Sequence, residues 1–341
     1  MASRLSRATK IWTLARDLGL KPKGDPVLAV REYCEQRVMG MIQEFSSCET
    51  LTDLIETVRG RLEATFEIVR DDEELRQIRD RYIEKREAAF ANLEAELSRD
   101  VFGITFQRRK REPWEPRFVS VIDCRGDKAA RKYFTKWHEL AHLLCLTDQL
   151  RLAFRRTHSH HDSKDPEESM MDVIAGHLGF LPSLVRPHVT GEISFDTLDT
   201  MKEHLCPEAS REAALTGFVQ AWPTPVIFVK ARLGFRKEQS GQLDQMNFGF
   251  RDHPVPALRA TTTISNQEAR RVGFRIHQNM RVPQSSILRA VFEGRLSTAE
   301  SDEDLGWWEA SDGTALPAVP IRVKARRAWE AVEGLITPKP S

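Results

Sequence analysis

The chain has 341 residues, 51 basic and 50 acidic, with 40% hydrophobic and 30% charged positions. That length can bury a core shared among two or three packed units, and the composition is that of a globular rather than a disordered chain. The balanced charge excludes a whole-chain field for nucleic acid or anionic lipid, and the five scattered cysteines, with no Cys-x-x-Cys pair, exclude a disulfide framework or a thiolate metal knot.

No stretch reaches the roughly 20 apolar residues that span a bilayer. No continuous apolar run precedes a small-residue cleavage site near the start, so a cytoplasmic chain with no membrane partner is expected. In the basic opening segment Leu5, Ile11, Leu14 and Leu18 stand at helical spacing around Asp17, which reads as a surface helix rather than an organelle transit segment.

From residue 27 to 97 the pattern is helical: Val30, Cys34, Val38, Met41 and Phe45 recur at threes and fours, as do Leu75, Ile78, Tyr82, Leu93 and Leu97. Asp71, Asp72, Glu73 and Glu74 mark a helix start, where acidic side chains oppose the positive end of the helix dipole. Two short strands are expected at 102–108 and 117–123, around a turn at 112–116. Helices follow from about 128, then over 167–181, 195–204 and 211–222, with Pro182 and Pro223 where helices stop.

Residues 236–256, rich in Gly, Gln, Asp, Asn and Pro, read as a linker, and strands are expected beyond it at 257–264, 272–277, 286–293 and 320–325. The expected class is α+β in three parts. A helical region spans 1–100, a mainly helical domain with a small sheet spans 101–235, and a β-rich domain spans 236–341.

The chemistry concentrates in Tyr133-Phe-Thr-Lys-Trp-His138-Glu-Leu-Ala-His142-Leu-Leu-Cys145. Two histidines four residues apart in a helical pattern share one face and can bind one zinc ion through imidazole nitrogens. Glu139 projects beside them, where its carboxylate can take the proton of a water made acidic by the metal. The apolar Leu140, Ala141, Leu143 and Leu144 make this helix mostly buried, and a buried His, Glu and His set without a partner is costly.

A catalytic zinc needs a third protein ligand and an open fourth position. Pro166-Glu-Glu168-Ser-Met-Met-Asp172 supplies a helical carboxylate in Glu168, and Asp172 lies one turn on, within about 60° on the helical wheel. Asp172 is expected behind His138, accepting its free ring N–H and so fixing the tautomer.

These residues resemble the ImmA/IrrE family of metallopeptidases. The likeness runs over residues 100–235 through Val121-Ile-Asp123, Arg131, Phe134-Thr, His138-Glu-Leu-Ala-His142 and Glu168-x-x-Met-Asp-x-Ile-Ala175, ending near Leu181-Pro182. Met171-Asp172 stands where that family usually has Ala-Asn. Glu-x-x-x-Asp is also similar to the pattern of thermolysin-like gluzincins. The resemblance implies a zincin-like catalytic domain with one Zn2+ per chain. It also implies a regulatory endopeptidase that cuts a protein partner, commonly a DNA-bound repressor, in a stress or mobile-element response.

His158, His160 and His161 form a polar cluster that could stabilise an oxyanion or steer substrate, or be a solvated loop. Tyr133 is an electrophile candidate, His177 should face away from Glu168, and Cys145 shares the His142 face as a packing residue. From 230 to 289 there are eleven basic against four acidic residues, which could meet phosphate or form an ordinary basic surface. The alternative function is therefore a non-catalytic, metal-containing regulator that binds nucleic acid or a protein partner through its C-terminal part.

Overall fold

The computed structural model describes residues 5–6, 8–43, 48–98, 100–145, 165–235, 255–310 and 313–339, and the backbone of 153–157. It is a mixed α+β protein of two compact units, one formed by Met1–Leu184 with Met201–Gly217 and the other by Val185–Thr200 with Phe218–Ser341.

The first unit begins with helices α1 (Thr9–Asp17), α2 (Pro26–Gln43) and α3 (Leu51–Arg61). The start of α3 is set by a capping box, in which the Thr50 side chain accepts from Asp53 N–H and the Asp53 side chain accepts from Thr50 N–H. Strand β1 (Ala64–Val69) follows, inside the stretch expected to be helical throughout. Its Ala-Thr-Phe-Glu-Ile-Val sequence has the β-branched and aromatic content of a strand, and it pairs in parallel with β3 (Phe118–Asp123). Helix α4 (Asp72–Glu84) starts at the expected acidic run: the Asp71 carboxylate accepts from Glu74 N–H, with Asp72, Glu73 and Glu74 in the first turn. A short helix α5 (Leu93–Glu96) leads to β2 (Val101–Gln107).

The sheet order is β1-β3-β2-β4, where β4 is Ala153–Thr157, and β2 runs antiparallel to both β3 and β4. Alternation sends the two faces of β2 to different layers. Ile104 and Phe106 join Val119, Val121, Leu75, Ile78, Tyr82 and Phe90 in one core cluster. Gly103, Thr105 and, on β3, Ser120 point to the opposite face, against α6 (Lys132–Leu144). Burial on both faces explains why β2 and β3 are almost wholly buried along their length.

Helix α7 (Pro166–Leu178) packs on α6, and α8 (Pro182–Val185) follows it. Asp165 caps α7, its carboxylate accepting Glu167 N–H, and Pro166 occupies the first helical position, where no N–H donor is needed. Helices α9 (Phe195–Leu205) and α10 (Arg211–Ala221) match the expected spans to within a residue.

The second unit holds a five-stranded antiparallel sheet in the order β6-β5-β9-β8-β7, from β5 (Ile227–Gly234), β6 (Ala257–Ser265), β7 (Thr298–Asp304), β8 (Pro320–Ala328) and β9 (Ala331–Pro338). Two expected strands are not strands. Residues 272–277 form turn and irregular chain after α11 (Gln267–Arg271), and 286–293 hold α12 (Ile287–Phe292). Ser286 caps α12, accepting Leu288 N–H, while Glu303 accepts Ile287 N–H, and Leu288 and Val291 point one turn apart into the core beside Val323 and Ile336. Of the residues read as a linker, 236–254 lie outside the described set. Among the described residues no helix is long and apolar enough to cross a membrane.

Candidate metal centre

Helix α6 carries the site because the sheet below and α7 beside it bury nearly every position from Thr135 to Leu144. His138 and Glu139 are fully buried and His142 is nearly so, while Glu168 and Asp172, on the first two turns of α7, keep partial exposure. The spacing of four residues stacks the two imidazoles on one face, with ring centroids 4.9 Å apart.

Three ligand atoms converge. His138 Nε2 lies 3.2 Å from His142 Nε2 and 3.1 Å from Glu168 Oε2, and His142 Nε2 lies 3.4 Å from Glu168 Oε1. His138, His142 and Glu168 form a group able to hold a metal ion, with one donor from each within 4.8 Å of the others. The spacing is itself a test of fit: tetrahedral bonds of 2.0–2.1 Å require ligand atoms about 3.3 Å apart. Three donor atoms aimed at one point make a pocket of the size that a cation fills.

Asp172 Oδ1 is 2.9 Å from His138 Nδ1. That contact holds the proton on Nδ1 and leaves the Nε2 lone pair for a metal. Burial pushes the Glu168 carboxyl up, but its contacts with His138 and His142 outweigh burial and hold it at about 2, so it is an anion suited to ligation.

Glu139 is positioned by residues that the motif does not contain. Its Oε2 accepts a 2.7 Å hydrogen bond from the Thr105 hydroxyl, which lies 2.7 Å from the Ser120 hydroxyl across the β2–β3 pair. Its Oε1 is buried with no hydrogen-bond partner among the described residues. A Cβ at Gly103 would stand 2.8 Å from that oxygen and 2.8 Å from Thr135 Cγ2, so glycine is what lets the strand approach the helix so closely. Burial pushes the Glu139 carboxyl above its ordinary value, opposed by the nearby His142 and His138 and by the Thr105 bond. Thr105, Ser120 and Gly103 gave no sign in the sequence beyond strand alternation, because their role exists only through packing between a strand and a helix 34 residues on.

Of the remaining candidates, Tyr133 and His177 stand outside this cluster. Tyr133 is buried and its hydroxyl donates to Gly179 O at 2.6 Å, about 16 Å along α7 from Glu168 at 1.5 Å per residue. Burial raises that phenol well above its usual value. His177 faces away from the ligands, its Nε2 2.8 Å from Glu35 Oε2 on α2. His158, His160 and His161 lie outside the described residues.

A comparison with protein-family models gives no match, and a comparison with curated proteins gives none either.

Proposed function

We propose that the chain is a zinc-dependent peptidase of the ImmA/IrrE kind, with a zincin-like catalytic domain, that hydrolyses a peptide bond in a protein partner. One observation carries the reading: the two imidazole nitrogens and the Glu168 carboxylate stand at tetrahedral-site spacing with the buried carboxylate of Glu139 next to His138 on the same helix. Two histidines and a carboxylate are a ligand set typical of catalytic rather than closed structural zinc sites, because the fourth position is left for water or substrate.

The ion would supply Lewis acidity, lowering the pKa of a water at its open position to near 7. His138 and His142 would each offer the ion a ring nitrogen, and Asp172 keeps the His138 proton on the far side of the ring. Glu139 acts as the base: Thr105 holds one carboxylate oxygen, and the other, with no hydrogen-bond partner among the described residues, takes the proton. The same carboxyl would later return the proton to the leaving amine. A purely structural metal site has no use for a buried, half-satisfied carboxylate at this point, and this favours hydrolysis over the reading as a non-catalytic regulator.

A DNA-binding repressor is the partner class suggested by the family resemblance. The test is direct. The purified full chain should contain about one zinc per chain by elemental analysis, and incubation with its partner should give a single new protein terminus by mass spectrometry. Protein that cuts equally well with its metal stripped would overturn the reading.

A further inference from the structure

Cys34 on α2 and Cys145, at the C-cap of α6, bring their sulfurs to 3.6 Å, although they are 111 residues apart in the chain. This is the one sulfur–sulfur contact among the described residues. Cys34 is fully buried and Cys145 is 7% exposed. One turn along α2, Arg37 donates to Leu144 O, so two contacts join α2 to the last turn of the helix that carries His142.

We propose that Cys34 and Cys145 are a dithiol–disulfide site, closed by two-electron oxidation with hydrogen peroxide and reopened by small thiols. Cys145, at the C-terminal end of its helix, attacks the peroxide O–O bond as its thiolate. It takes one oxygen to become a sulfenic acid, and the other leaves as water after taking up a proton. The Cys34 sulfur then attacks Cys145 sulfur, forming the S–S bond and expelling hydroxide, which leaves as a second water with the Cys34 proton. The two sulfurs together lose two electrons and the peroxide gains them. Closure from 3.6 Å to a bond of about 2.05 Å requires side-chain rotation and a small approach of the two helices.

The contact with the Cys34 thiol, and then burial, push the Cys145 thiol well above its usual value, with Arg37 opposing. Closing so long a loop removes much of the freedom of the unfolded chain. The product ties the ligand helix to α2 without involving any metal ligand, so the inference does not depend on the proposed peptidase activity.

The experiment treats the full-length protein with hydrogen peroxide, blocks free thiols, digests without reductant and maps cross-linked peptides by mass spectrometry. The expected result is a Cys34–Cys145 linked peptide that disappears with dithiothreitol and is absent in Cys34→Ser. A rise in the thermal midpoint of roughly 5–10 °C should accompany it in wild type only. Recovery of both residues as free thiols while the partly exposed Cys48 oxidises, or linkage of either to another cysteine, would overturn the proposal. Circular dichroism of Cys34→Ser, expected to match wild type, separates loss of the bond from loss of the fold.

Discussion

Asp172 and His138 meet through a 2.9 Å contact between Oδ1 and Nδ1, from two helices whose contact residues lie 34 positions apart. The carboxylate faces the ring nitrogen that does not point to Glu168 and His142, so it decides which nitrogen carries the proton. Ligand quality at His138 thus depends on a residue that binds no metal.

Asp172→Asn should therefore keep the fold and weaken metal binding. An amide can face Nδ1 but does not raise the basicity of the ring as a carboxylate does, and loss of such a partner costs about 10–100-fold in affinity. Competition with a chromogenic chelator reads this directly, with circular dichroism as control. Unchanged affinity would remove Asp172 from the site.

Glu139→Gln should retain about one metal per chain and lose hydrolysis, because the amide keeps the shape but takes up no proton. Elemental analysis paired with cleavage of the partner checks both halves. His142→Ala is the contrasting variant: it removes a ligand, and metal content should fall with activity.

Removing the metal should lower the thermal midpoint. Without the ion, three donor atoms 3.1–3.4 Å apart are left facing one another, and any ligand that binds only the folded state stabilises it by about 2.7 kcal/mol at one hundred times its dissociation constant. Calorimetry before and after chelation, with zinc added back, measures the shift; no shift would mean that the cluster holds no metal.

Gly103→Ala should be destabilising by about 1–3 kcal/mol, as overpacking in a closed interior is. The added methyl would collide with Glu139 Oε1 and Thr135 Cγ2 at 2.8 Å, and neither is a flexible chain end free to swing into solvent. Urea unfolding gives the stability, and loss of activity beyond loss of fold would report displacement of Glu139.

Asp123 predicts acid sensitivity. It is buried at the end of β3, and although burial raises its pKa, hydrogen bonds from Arg125 and Lys128 more than compensate and lower it below 3.8. A folded-state pKa below the unfolded value gives stability that is present above 3.8 and lost as pH falls through the lower folded value. Asp123→Asn should be destabilised relative to wild type at neutral pH, and the gap should narrow below about pH 4. A gap independent of pH would contradict this.

The sequence by itself picked out His138, His142 and Glu168, which the structure brings together, and the helices that carry them. Periodicity of 3.6 with His at i and i+4, and a Glu just after Asp165-Pro166, are local facts that geometry converts into two facing helices. The strands at 102–108 and 117–123 were legible for the same reason, being short apolar runs either side of a proline-containing turn. Elsewhere local signals misled. Strand β1 sits in a run of helical periodicity, and α12 resembles a strand because Ile287, Val291 and Phe292 suit either state until Ser286 and Glu303 cap the helix. Only the tertiary structure decided what supports Glu139, and which cysteines meet. Thr105, Ser120 and Gly103 act across a sheet–helix interface, and Cys34 and Cys145 across a helix–helix joint, so their roles depend on packing between segments far apart in the chain, which no local pattern encodes.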